Sequence, residues 1–134
     1  MKEINRYIDA SVLKPELSRS VVENAIAECL KYNVKSVCVR PCDIDLAVKM
    51  CENTDSVASC VLGFPHGVVL SESKASEAEL YVKKGVKEID MVVNYGFIRS
   101  KMWEDVEADI LAVSRITKPA GVILKVILET SMLI

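Results

Sequence analysis

The amino-acid sequence predicts an α/β fold in which five parallel strands alternate with four helices and form part of a barrel. Three observations lead there. Five short runs rich in Val, Ile and Cys are too short to make comfortable helices. The segments between them carry apolar residues at helical spacing. Charged residues also stand inside the last two runs, each opposed by apolar residues on the alternate face.

The predicted strands are Tyr7–Leu13, Ser36–Val39, Val57–Leu62, Glu88–Val93 and Val122–Leu128. In the first helical segment Val22, Ile26, Cys29 and Leu30 share a face, with Ser20 and Glu23 spaced as a capping box. In the second, Ile44, Ala47, Val48 and Cys51 align behind Pro41 and a capping Asp43. The third carries Ala75, Ala78 and Val82 and stops at Gly85. The fourth carries Val106, Ile110, Val113 and Ile116, with Glu104 and Asp105 at its dipole-favoured start. Strand–helix alternation with short connections implies right-handed crossovers and a parallel sheet. No linker or low-complexity tract interrupts it, so residues 1–134 read as a single domain.

Alternation by itself fits an open doubly wound sheet as well as part of a barrel. The strand charges favour the barrel. Asp90 shares a face with Glu88 and Val92, and Lys125 shares one with Ile123 and Ile127. An open sheet with helices on both sides would bury those ions in hydrocarbon, whereas a barrel interior accepts polar side chains towards its mouth.

Composition narrows the function classes. The formal net charge is −2 and the longest basic block is Lys83-Lys84, which argues against nucleic-acid binding. No apolar stretch approaches a membrane span, and MKEINRYIDA lacks the apolar core of a signal peptide, so a cytoplasmic protein is expected. The 5 cysteines include no C-x-x-C pair and are read as buried small hydrophobes, with no metal or other cofactor.

Lys125 is the sharpest candidate for chemistry, because desolvation lowers a lysine's pKa and a neutral amine attacks carbonyls. A charge-relieving ion pair with Asp90 or Glu129 is the alternative. Asp90 is Lys125's natural partner and a candidate proton shuttle. Asp9, placed near the end of the first strand, could join them at the mouth or serve as a turn former. The glycines of GFPHG (63–67) suit a tight turn after a strand but not a dinucleotide loop. His66 reads as a loop histidine, Arg40 as an anion attractor at the mouth or a solvated arginine, and Trp103 as packing.

Five stretches together resemble the deoxyribose-phosphate aldolase family: IDASVLKP (8–15), SVCVRP (36–41), VLGFPHG (61–67), EIDMVVNYGFIRSK (88–101) and LKVILET (124–130). They follow the family's order and spacing and cover nearly the whole chain. The resemblance implies a TIM (β/α)8 barrel, here an incomplete one. It implies reversible cleavage of 2-deoxyribose 5-phosphate, a small phosphorylated sugar, to glyceraldehyde 3-phosphate and acetaldehyde, through a lysine Schiff base and without metal. Asp90 matches the family's proton-relay aspartate. Lys125 matches a fifth-strand lysine that lies in the site but is not the nucleophile, and Asp9 matches an aspartate lining it. The family's nucleophilic lysine lies on the sixth strand, a second lysine on the seventh, and the phosphate site after the seventh and eighth. All of these fall beyond residue 134. Ala10, Ser11 and Arg40 replace the family's usual histidine, threonine and asparagine. The expectation is an N-terminal part of such an aldolase, inactive alone and prone to self-association through open sheet edges. The alternative is a truncated partial barrel with a structural or binding role.

Overall fold

Val, Ile and Cys crowd the five short runs because branched and compact side chains suit a pleated surface better than a helix. In the computed structural model, which describes residues 3–134, these runs form β1 (Asp9–Val12), β2 (Ser36–Val39), β3 (Val57–Leu62), β4 (Glu88–Val92) and β5 (Ile123–Ile127). Met1 and Lys2, part of the N-terminal stretch read above for a signal core, lie outside the described residues. Helices α1 (Arg19–Lys31), α2 (Ile44–Cys51), α3 (Ser71–Lys83), α4 (Tyr95–Arg99) and α5 (Trp103–Thr117) fill the connections.

The strands form one parallel sheet in the order β1-β2-β3-β4-β5. Sequential order without a reversal is the arrangement of a barrel, not of a doubly wound sheet, which switches direction part-way. Covering of the faces agrees. Val12, Val37, Val39, Cys60, Leu62, Ile89 and Met91 pack with Val22, Ile26, Ile44, Ala47, Ala78, Tyr81 and Val113 in one cluster. That cluster takes only one set of alternate strand positions, so the helices cover one face. Each fully buried Val, Ile or Leu there contributes about 1.5–3 kcal/mol of transfer free energy.

Several local expectations are corrected. β1 is shorter than Tyr7–Leu13, because Ile4–Tyr7 forms a 3-10 turn. Asn5 Nδ2 donates to the carbonyls of Tyr32 and Asn33, and Arg6 donates to those of Val34 and Asp55, which holds this turn against the neighbouring loops. A fifth helix, the short α4, joins the four predicted. Its signal is Asn94, whose side chain accepts the Phe97 amide at 3.2 Å. Ser20 and Glu23 do not form a capping box: the N-cap of α1 is Ser18, without a side-chain cap bond. Asp43 is the N-cap of α2, but its carboxylate pairs with Arg40 and Arg19 and makes no cap bond. The stop at Gly85 is as expected: the Gly85 and Val86 amides reach back to the Val82 and Tyr81 carbonyls, a Schellman arrangement. Of the cysteines, Cys38, Cys51 and Cys60 are buried, Cys29 is half-buried and Cys42 is exposed, so the reading of all five as core residues is wrong for Cys42.

Two glycines separate the uses of this residue. A Cβ on Gly67 would lie 2.3 Å from the Val93 carbonyl oxygen, and φ there is +68°. Gly121 has the same φ with nothing within 4 Å. We predict that Gly121→Ala destabilises by about 1–2 kcal/mol, the left-handed penalty alone. Gly67→Ala should cost at least about 1–3 kcal/mol more, because the loop must shift. Urea unfolding of both variants checks this; equal losses would contradict it.

Candidate active site

The uncovered face of the sheet carries the polar residues. Cross-strand register places Asp9 beside Ser36, Cys38 beside Ser59, Ser59 beside Glu88, Val61 beside Asp90, and Asp90 beside Lys125. These positions alternate with the core-facing ones, so the period of two that fills the core also lines this face with acids, hydroxyls and one lysine.

They converge on the Lys125 ammonium. Nζ lies 2.5 Å from Asp9 Oδ2, 3.0 Å from Glu88 Oε2 and 3.0 Å from Asp90 Oδ1. Asp9 and Lys125 stand on the two edge strands, so the sheet is curled and this face is concave. Asp9 Oδ1 also accepts the Ser36 hydroxyl at 2.7 Å, and Ser59 donates onward to Ser36 at 3.3 Å. The second oxygen of Glu88 pairs with Lys35 at 3.2 Å. The Cys38 thiol donates to Asp90 Oδ2 at 3.6 Å. Asp90 Oδ1 is buried and receives no hydrogen bond: the ammonium is close enough for ion pairing but not in hydrogen-bond geometry.

Electrostatics follow from this crowding. Burial works against the charge on Lys125, but the hydrogen bond to Asp9 and the Asp90 and Glu88 carboxylates outweigh it, and its pKa is raised above that of an ordinary lysine. The expectation that desolvation would win and yield a neutral amine is therefore reversed. Burial also pushes the Asp9 carboxyl towards neutrality, yet the hydrogen bonds from Lys125 and Ser36 hold its pKa below 3.8. Burial, then the Asp90 charge, pushes the Cys38 thiol up to about 12, so it is a donor and not a thiolate nucleophile. In formal charge, three carboxylates face two ammoniums, Lys125 and Lys35, which leaves one negative charge in surplus.

Asp9, Asp90 and Lys125 are thus brought together. Asp9 begins β1 instead of lying near its end, and it is an ion-pair partner, not a turn former. Lys125 pairs with Asp90 as expected but with Asp9 and Glu88 in place of Glu129. Glu88, Lys35, Ser36, Cys38 and Ser59 were missed as site residues. Glu88 was recoverable, since it shares the parity of Asp90 in EIDMVV. Arg40 lines the mouth but is largely engaged within the chain: Nε donates to Asp43 and Nη1 to the carbonyls of Lys14, Pro15 and Leu17. His66 is exposed in its loop, and Trp103, read as packing, is 59% exposed at the start of α5.

At the C-terminal ends of β1–β3 a cleft of about 400 Å³ opens between Leu13, Arg40, Val61, Phe64, Pro65 and Glu77. Val61 is directly across from Asp90, so the cleft adjoins the charged cluster. A similar hollow of about 410 Å³, lined by Val48, Cys51, Val57 and Lys87, lies at the opposite end of the strands, away from these charges.

Removing the ammonium tests the electrostatics. Lys125→Met should destabilise by about 1–3 kcal/mol, less than for a fully buried pair because the lysine keeps partial exposure. Asp9's folded pKa is depressed, so its contribution is present above 3.8 and lost as pH falls through the lower folded value. Lys125's is raised, so its contribution is fully present below 10.5 and lost only as pH rises through the higher folded value. Urea midpoints of parent and variant should therefore differ by a constant amount between these two pH values and converge in acid. A gap that widens in acid would contradict this.

No protein-family model matches the chain. Individual proteins do. Deoxyribose-phosphate aldolase of Finegoldia magna is 42% identical over 131 residues, which is 98% of this chain and 61% of the relative. That of Lactococcus lactis is also 42% identical, over 98% of this chain and 59% of its own length. Among solved structures, a tetrameric deoxyribose phosphate aldolase from Aeropyrum pernix superposes with a TM-score of 0.85 at 25% identity, covering 96% of this chain and 53% of that one. A Coccidioides immitis protein provisionally assigned as a deoxyribose-phosphate aldolase gives a TM-score of 0.93 at 38% identity, covering 98% and 51%. The chain spans about three-fifths of the length of the curated relatives it matches. Over nearly all its own length, this chain is similar to deoxyribose-phosphate aldolases.

Proposed function

We propose that the chain supplies the proton-handling part of an aldolase site that cleaves 2-deoxyribose 5-phosphate reversibly to glyceraldehyde 3-phosphate and acetaldehyde. The reaction is a lyase step of deoxyribonucleotide breakdown in the cytoplasm. The single observation that supports it best is the surplus negative charge around Lys125, on a concave face whose motifs match the aldolases. In Schiff-base catalysis an amine adds to the substrate aldehyde, the carbinolamine loses water, and the resulting iminium draws electrons as the bond between C2 and C3 breaks. A positively charged iminium fits a site that holds one carboxylate more than its own cations balance.

In this reading Asp90 gives and takes the protons of the carbinolamine, using the oxygen that has no donor in the resting site. Lys125 is a permanent cation that keeps Asp9, Glu88 and Asp90 together; with its pKa raised it is not the nucleophile. Asp9 lines the site and shares the charge. The Schiff-base lysine and the phosphate site would come from strands following β5, and residues 1–134 would act as one folding unit. No metal, other cofactor, nucleic acid or membrane has a part in this scheme.

A second reading is favoured by one observation: among the described residues β1 and β5 each pair on one side only, and Ile123 on β5 is 52% exposed. Such edges recruit other strands. A partial barrel with a structural or binding role would then self-associate, and light scattering should give a dimer or larger species. A stable monodisperse monomer would contradict that.

The deciding experiment measures cleavage of deoxyribose 5-phosphate by this chain and by a polypeptide that continues through three more strand–helix units. We expect activity only in the longer form, and Asp90→Asn to lower its kcat by about 10²–10⁴-fold. Borohydride trapping with acetaldehyde should leave the peptide containing Lys125 unmodified. An inactive longer form would overturn the assignment, and an adduct on Lys125 would overturn its role as a spectator cation.

A further inference from the structure

The most deeply buried charges lie outside this cluster. Lys74 of α3 has no exposed surface, and neither its burial nor that of Asp109 in α5 is predicted by the helical pattern. The Lys74 ammonium donates to Asp109 Oδ2 at 2.5 Å and to the Val92 carbonyl at 3.0 Å. Asp109 also accepts the Ser71 hydroxyl at 2.9 Å and the Asn94 backbone amide at 3.3 Å. One ion pair therefore ties two helices to the residues on either side of Val93, where the chain leaves β4 just beyond Asp90.

The GFPHG loop is seated on the same spot. A Cβ on Gly63 would approach Lys74 Cε to 3.1 Å, and Gly67 lies against the Val93 carbonyl. Between them Phe64 and Pro65 wall the mouth cleft. The two glycines read as turn formers are thus also what allows this loop to pack on the ion pair and on the end of β4.

A buried ion pair is a poor source of stability, since the desolvation of two ions offsets most of their attraction and apolar residues of similar volume often serve as well. What it adds is a set of directional, charge-assisted bonds to one particular carbonyl and one particular amide. We propose that Lys74 and Asp109 are positioning residues for the aldolase site. They hold the end of β4 and the GFPHG loop so that Asp90 and the cleft wall keep one relative placement. The proposal rests on the aldolase reading of the concave face, but its test requires no turnover, so the two can fail separately.

The test compares Lys74→Met and the double variant Lys74→Met/Asp109→Leu with the parent chain. Three quantities are read: Tm, amide hydrogen exchange at Gly67 and Asn94, and the NMR chemical shift of the Asp90 carboxyl carbon at neutral pH. The single variant strands a buried carboxylate and should lower Tm by several degrees. The double variant should recover most of that Tm. Its Gly67 and Asn94 amides should nevertheless exchange about tenfold faster than in the parent, with the Asp90 carboxyl resonance displaced. If the double variant restores Tm, exchange and the Asp90 resonance together, the pair is merely structural and the proposal fails. Ser71→Ala keeps both charges and removes only the hydroxyl that orients Asp109, so it serves where the double variant does not fold. Exchange at Asn94 should rise about threefold in it; an unchanged rate would overturn the proposal.

Discussion

A single ammonium group holds the two edges of this sheet in reach of each other. Lys125 on β5 and Asp9 on β1 are separated by three intervening strands, and their side chains meet at 2.5 Å. In a flat sheet the edge strands would stand about 19 Å apart at the usual spacing, well beyond the combined reach of a lysine and an aspartate. The contact therefore requires strong curvature, and the curvature requires the division of labour between faces. Bulky Val, Ile and Met pack outward under the helices, while Ser36, Cys38 and Ser59 keep the concave side narrow. Small residues inside and branched ones outside let a twisted sheet close upon itself.

The same division accounts for the electrostatics. On the concave side, Glu88 and Asp90 take the strand positions that face the cavity, and Lys125 enters their row from the next strand. Burial should neutralise such groups, yet each is held by partners on other strands. Lys125 stays protonated because three carboxylates surround it, and Asp9 stays ionised because an ammonium and a hydroxyl bind it. The cluster is balanced except for one charge and one Asp90 oxygen, and Val61, across from Asp90, also lines the mouth cleft. The buried pair on the helix side is handled differently: Lys74 and Asp109 are matched one to one and have almost no access to solvent.

Much of this was legible in the sequence, and the reasons for success and failure are physical. Strands β2 and β3 have the bounds predicted for them, because runs of Val and Cys between helical segments admit little else. The polarity of EIDMVV and GVILKVILET revealed the cavity face through its period of two, and with it Asp90 and Lys125. The length of β1 was not legible. It is cut short by the bonds that Asn5 and Arg6 make with carbonyls some 27 residues or more away, which no local pattern encodes. The raised pKa of Lys125 was likewise hidden, since it depends on partners from β1 and β4 that only the curled sheet assembles. The burial of Lys74 and Asp109 and the partners of Arg40 were not legible either, because a residue's partner across a helix interface or a loop leaves no trace in spacing.

The central claim is that the concave face holds Lys125 as a permanent cation at the meeting point of three carboxylates. The direct measurement is an NMR pH titration of the Lys125 side chain, followed at its Cε and Nζ nuclei after assignment by Lys125→Met. The account predicts that Lys125 is still protonated at a pH above 10.5, where ordinary lysines have begun to lose their protons. A midpoint at or below that value would mean that the carboxylates do not gather around it, and the picture of the curled, charge-clasped sheet would be wrong.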